Sequence, residues 1–179
     1  MKIVFESLEK QYPLDSSTFY QLTMKTVMPI ALSTGQRAQT ISCIRLDNIK
    51  ENSDGIQIKI TDIIKKSIKE SKQLTLKLPC MKETPELCPA TTVKKYLEVT
   101  ADLRGDIKYL FITLRIPHRA VTMQTISRWL KRVLHKSGLT SFTGHSTRHA
   151  ATSAAFQLRQ DPELINENVA SSKKSRNNR

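Results

Sequence analysis

Two short segments carry the residues that could do chemistry. Gly144-His145-Ser146-Thr147-Arg148-His149 opens an alanine-rich helical stretch, and Ser33-Thr34-Gly35-Gln36-Arg37 opens another more than a hundred residues earlier. His145 and Arg148 are three positions apart, so on a helix they project from one face. In a first turn the free backbone N–H groups and the helix dipole also favour an anion. A guanidinium is a planar fork that grips two phosphate oxygens and stays charged at any physiological pH. Arg37, His145 and Arg148 around one phosphate would stabilise the charge that develops in a pentavalent transition state. Removing one such donor costs roughly 3 kcal/mol, by analogy with oxyanion-hole deletions. Read singly, each residue says less. Arg37 suits a surface or capping role, His-x-x-Arg pairs recur by chance, and His149 reads as a structural or supporting histidine.

The usual nucleophile for phosphodiester chemistry does not follow. The last tyrosine is Tyr109, and Tyr12, Tyr20, Tyr96 and Tyr109 all precede His145. Ser146 and Ser153 would need activation by a base within hydrogen-bond reach. No metal site is expected, since Cys80 and Cys88 lack a matched His or Cys pair and no carboxylate cluster accompanies the arginines. No cofactor is expected either, in the absence of a glycine-rich phosphate loop.

The balance of 29 Lys and Arg against 16 acids, net +13, bears on partners rather than fold, and phosphate backbones are the first candidates. The last nine residues hold four positive charges and nothing apolar, which reads as a disordered basic arm or nuclear-localisation patch. Three cysteines with no secretory signal favour a reducing compartment. The expected location is nucleus or cytoplasm, not secreted, with no membrane span.

The elements that must hold these residues are mainly helical. Asp15-Ser16-Ser17 can cap a helix carrying Phe19, Leu22, Val27, Ile30 and Ala31, which Pro29 should kink or interrupt. A second helix should run from Arg37 through Ile41 and Ile44 toward Leu46. Ile56, Ile58 and Ile60 alternate with polar residues, as do Leu74, Leu76 and Leu78, predicting strands of a two- or three-stranded sheet. The basic turn at residues 61–67 lies between them, at the edge of the sheet. Residues 90–100 read as a helix, residues 109–114 as a short apolar run. Thr122 precedes an amphipathic helix with Ile126, Trp129, Leu130, Val133 and Leu134 on one stripe, where Trp129 is core rather than a base-stacking platform. The fold class is therefore mainly α with a small antiparallel β-sheet (α+β).

Taken together and in order, STGQRAQTISCIRLDNI, TDIIKKS, ELCPATTVKKYLEVTADLRG, YLFITLRIPHRAVTMQTISRWLKRVL and GHSTRHAATSAA resemble the catalytic domain of the tyrosine recombinases, the phage-integrase family. The branch they look most like is the one encoded by DIRS-type retrotransposons, which are transposable elements. The first and last segments are the specific ones. The resemblance covers approximately residues 13–155.

That resemblance implies roles. Arg37 looks like the family's first catalytic arginine and Arg148 like its second, with His145 the histidine that precedes it. Lys65 resembles the hairpin lysine that acts as general acid for the leaving 5′ oxygen, with Lys66 the alternative. A lysine suits such a role because it can lose a proton when desolvated beside arginines. The implied partner is double-stranded DNA, the implied activity DNA recombination and integration, with no small-molecule cofactor.

The chain also departs from the family. A further His or Trp and then the attacking tyrosine follow the His-x-x-Arg helix there, whereas FQLRQDPELINENVASSKKSRNNR holds none of them. The expected organisation is a 1–12 N-terminal extension, a 13–158 recombinase-like catalytic domain that is truncated, and a 159–179 divergent basic tail. A preceding DNA-gripping domain is also expected to be missing. Three classes of function stay open. One is an incomplete recombinase, inactive alone. The second is a non-catalytic DNA-binding remnant or accessory protein, the class to which pairing with complete recombinase subunits belongs, and the third is a basic helical interaction protein.

Overall fold

The computed structural model describes residues 2–62 and 74–140. Its elements run α1 (Lys2–Glu9), α2 (Phe19–Thr34), α3 (Ala38–Ser42), β1 (Ile49–Asn52), β2 (Gly55–Lys59), β3 (Thr75–Pro79), α4 (Pro89–Thr100) and α5 (Met123–Lys136), with short 3-10 turns at Leu14–Ser16, Leu46–Asn48 and Pro85–Leu87. This is the expected architecture of helices around a small antiparallel sheet.

Helix α2 is the central element. Its cap is Thr18 rather than the expected Asp15-Ser16-Ser17, because Thr18 and Gln21 form a reciprocal capping box. Asp15 and Ser16 belong to the preceding 3-10 turn. Helix α2 also continues past Pro29 without interruption. An interior proline costs about 3 kcal/mol or more, and twelve of the sixteen α2 residues are buried, which offsets it. Its buried threonines are satisfied locally: Thr23, Thr26 and Thr34 donate to the carbonyls of Phe19, Leu22 and Ile30 at 2.7, 2.7 and 2.6 Å.

The sheet has the order β1-β2-β3, antiparallel throughout. Ile56 pairs with Leu78 and Ile58 with Leu76, so the alternating apolar residues share one buried face. That face packs toward α2 through β3, while Gln57 and Lys59 point to solvent. Strand β1 was not legible in the alternation, since Ile49 is its single apolar residue and its other three positions are exposed.

A chain of rings ties the helices together. Phe19 of α2 lies 6.1 Å from Tyr96 of α4, Tyr96 lies 5.3 Å from Phe111, and Phe111 lies 6.1 Å from Trp129 of α5. Trp129 is a core residue, as its stripe predicted. Helix α1 joins the same core through Val4 and Leu8, both fully buried. Helix α5 ends where Gly138 N–H reaches the His135 carbonyl and Leu139 N–H reaches that of Leu134, each at 2.9 Å.

Candidate nucleic-acid interface

Arg37 is held by a tight turn between two helices. Gly35 closes α2 in the left-handed region (φ 60°, ψ 21°), its N–H donating to the Ala31 carbonyl at 3.0 Å. The chain then extends, and Arg37 becomes the N-cap of α3, its carbonyl accepting from Ile41 N–H at 3.1 Å. Its side chain makes no capping bond and is exposed. Thr40 and Ile41 are buried and α3 packs on α5, so the guanidinium stands on an anchored base.

Helix α3 is only five residues long and stops at Ser42, short of the expected Leu46. Pairing with a distant segment takes the chain instead. Leu110 N–H donates to the Ile44 carbonyl and Leu46 N–H to the Lys108 carbonyl, both at 2.8 Å, and Arg45 bridges Tyr109.

The root of the β2–β3 hairpin lies against the far end of α3. The Cys43 thiol is pushed up by burial and by the Asp62 carboxylate, which places Asp62 beside it. The Tyr109 hydroxyl donates to Asp62 Oδ2 at 3.4 Å, and Asn48 Nδ2 donates to Thr61 Oγ1 at 2.8 Å. The Arg45 guanidinium covers the Tyr109 ring at 5.3 Å and lies 3.9 Å from Asp47. Arg37 stands six residues before Cys43, about 9 Å at helical rise. Sequence reading missed Asp62, Arg45 and the Tyr109 hydroxyl as a group, because only the fold brings them together.

Of the sequence-derived candidates, Arg37 is described. Lys65 and Lys66 follow Asp62 by three and four positions but lie outside the described residues, as do His145, Arg148 and His149. No two of Arg37, Lys65, His145 and Arg148 are therefore seen together.

The exposed face of α5 is cationic. Arg128, Lys131, Arg132, His135 and Lys136 are all exposed and recur at three- and four-residue spacing, and α5 contains no acid. Arg132 and Lys136 lie over the Tyr20 ring of α2 at 6.0 and 5.2 Å. Among the described residues no group of three His, Cys, Asp or Glu side chains could hold a metal ion, and no helix is long and apolar enough to cross a membrane.

The chain matches the phage integrase family over residues 6–173. No curated protein matches it. Among solved structures it is similar to the XerH site-specific recombinase bound to its palindromic difH substrate in a post-cleavage complex, at 18% identity and a TM-score of 0.66 over 96% of this chain and 44% of that one. The XerA recombinase matches at 18% identity and a TM-score of 0.64, covering 94% of this chain and 52% of that one. The lambda integrase catalytic core matches at 15% identity and a TM-score of 0.59, covering 97% and 91%. At these identities the likeness is one of fold, and the chain spans about half the length of the XerH and XerA chains.

Proposed function

The chain belongs to the phage integrase family, the tyrosine recombinases, and on that footing we propose that it binds duplex DNA and grips one phosphodiester with Arg37, Lys65, His145 and Arg148, as a unit of DNA recombination or integration. The single observation that carries this reading is Arg37, an exposed guanidinium on an anchored base between α2 and α3. The adjoining hairpin root supports it, because Asp62 lies beside the end of α3 and Lys65 is three residues further along. In this arrangement Arg37 and Arg148 neutralise the non-bridging oxygens, His145 orients or moves a proton, and Lys65 protonates the leaving 5′ oxygen, with Lys66 its alternate.

The finer reading is a recombinase-like unit over residues 13–158, with residues 1–12 an extension and residues 159–179 a basic tail, from the DIRS-type branch of transposable elements and working in the nucleus. Strand cleavage then calls for a tyrosine other than the four present, and a complete recombinase subunit is the partner that would donate it. A non-catalytic DNA-binding role is the second reading, favoured because Tyr20, Tyr96 and Tyr109 are each engaged in packing or hydrogen bonds.

Fluorescence anisotropy with a duplex, at several salt concentrations, tests the binding. Arg37→Ala with Arg148→Ala should weaken binding in low salt and lower the salt slope by about one, because both arginines grip the same phosphate. Unchanged affinity in the double variant, with loss on deleting residues 171–179, would assign binding to the tail instead.

A further inference from the structure

The loop between the 109–112 segment and α5 presents an apolar tip between two arginines. Ile116 is 86% exposed, well beyond any other large apolar side chain among the described residues. One exposed apolar residue is ordinary on a protein surface. Ile116 differs in the way it is held.

Hydrogen bonds close the loop beneath it. Ile112 bridges Ala120, Thr113 N–H donates to the Arg119 carbonyl at 2.8 Å, and Arg119 N–H donates to Thr113 Oγ1 at 3.0 Å. His118 Nδ1 meets the Thr113 carbonyl at 2.7 Å, and its ring stands edge-on to Phe19 at 5.9 Å. The tip is therefore fixed to the first residue of α2. Arg115 and Arg119 flank it, both exposed, and neither pairs with a carboxylate among the described residues.

The surroundings repeat the charge. Tyr20, next to Phe19, carries Arg132 and Lys136. Asp15, at the same end of α2, is taken up by Lys95 at 2.7 Å. Residues 107–140 contain seven Lys and Arg and no Asp or Glu across 34 positions, although the chain has 16 acids. Arg37 follows the other end of α2, about 22 Å away at helical rise from Phe19 to Thr34. This basic end is therefore separate from the Arg37 site.

We propose that the 113–119 loop is a second duplex-contacting element, in which Ile116 enters a DNA groove while Arg115 and Arg119 hold phosphates on either side. Apolar wedges flanked by cations unstack base steps and bend DNA, and a tip already ordered in the free protein loses little entropy on entering. Arg132 and Lys136 continue the phosphate track. A bilayer fits the tip less well, since one isoleucine buries too little apolar surface to anchor there. The inference rests on the duplex-binding reading above.

The test uses the full 179-residue chain and a duplex carrying 2-aminopurine, with anisotropy followed across salt. Arg115→Gln with Arg119→Gln should lower the salt slope by about two. Ile116→Ser should weaken binding about three- to tenfold at every salt, as partial loss of one apolar burial does, leave the slope unchanged, and abolish the 2-aminopurine signal of unstacking. If the loop variants bind and unstack like wild type while Arg37→Ala weakens binding, this inference falls and the recombinase reading stands. Wild type that ignores duplex DNA would sink both. Loop-dependent binding to anionic phospholipid vesicles, with duplex binding independent of the loop, would also overturn the proposal.

Discussion

The Lys25 ammonium of α2 donates to the Leu8 carbonyl near the C-terminal end of α1 at 2.6 Å. Lys25 is fully buried, and the Tyr12 ring lies 5.7 Å from its Nζ. That carbonyl also accepts from Gln11 N–H at 3.1 Å, so Lys25 is its second donor, and the bond ties α1 to α2. No carboxylate touches the amine among the described residues. Desolvation therefore lowers its pKa from 10.5 to about 8, against the weaker pull of Glu86 and Glu9.

That depression sets a pH dependence. Between about pH 8 and 10.5 the unfolded chain holds the Lys25 proton more tightly than the folded one, so folding stability contributed by this group rises with pH through the window. The gain is at most about 3 kcal/mol, from the shift converted at 1.36 kcal/mol per unit. Lys25→Met should lack it. Urea denaturation of both proteins at pH 7.5, 9 and 10.5 should show their stabilities diverging, and parallel profiles would remove Lys25 as the cause.

Arg104 is a second cation buried for structure. Its guanidinium donates to the Tyr109 carbonyl at 2.9 Å, to the Leu110 carbonyl at 3.4 Å and to the Thr100 hydroxyl, and burial lowers its pKa. It fastens the end of α4 to the segment that pairs with Ile44, Arg45 and Leu46. Arg104→Leu leaves those carbonyls without a donor, and a loss of about 2–4 kcal/mol is expected. A midpoint shift under 1 kcal/mol in chemical denaturation would contradict this account.

What the sequence revealed depended on whether a residue's signal was local. Helix α5 was legible because five apolar residues fall on one stripe, and the β2–β3 pair because isoleucine and leucine alternate there. Pro29 does not interrupt α2, since its local cost is outweighed by tertiary burial. Strand β1 and the early stop of α3 were hidden for the same reason: backbone pairing of β1 with β2, and of residues 44–46 with residues 108–110, not apolar periodicity, sets them. At the candidate site, Arg37 stood out by type and by its neighbours. Asp62 and the Tyr109 hydroxyl, 47 positions apart, could be joined only by the fold.

Gly55 offers a sharper test of the sheet. Its φ of 143° suits glycine, and a Cβ there would sit 2.0 Å from the Leu78 carbonyl oxygen. Gly55→Ala should therefore cost more than about 2 kcal/mol, combining strain with a backbone clash. Gly105→Ala has a positive φ of 48° but nothing within 4 Å of the added carbon. It should cost about 1 kcal/mol, from strain alone. Equal losses in the two variants would show that the β2–β3 approach at Gly55 is not tight.

The last expectation concerns cleavage chemistry by the 179-residue chain. Tyr96 is fully buried and its hydroxyl accepts from Ile112 N–H at 3.3 Å. Tyr109 donates to Asp62, and Tyr20 lies under Arg132 and Lys136. Tyr12 is half exposed, but it precedes α2, whereas Arg37 follows it. None is free beside Arg37 to attack a phosphodiester. A nicked suicide substrate should therefore yield no covalent protein–DNA band that survives denaturation. A band that vanishes in Arg148→Ala would show that one of these 179 residues is the nucleophile, and mass spectrometry of the linked peptide would name it. A band that forms only when a complete recombinase subunit is added, and is lost when that subunit's tyrosine is replaced, is the result expected if the tyrosine is donated in trans.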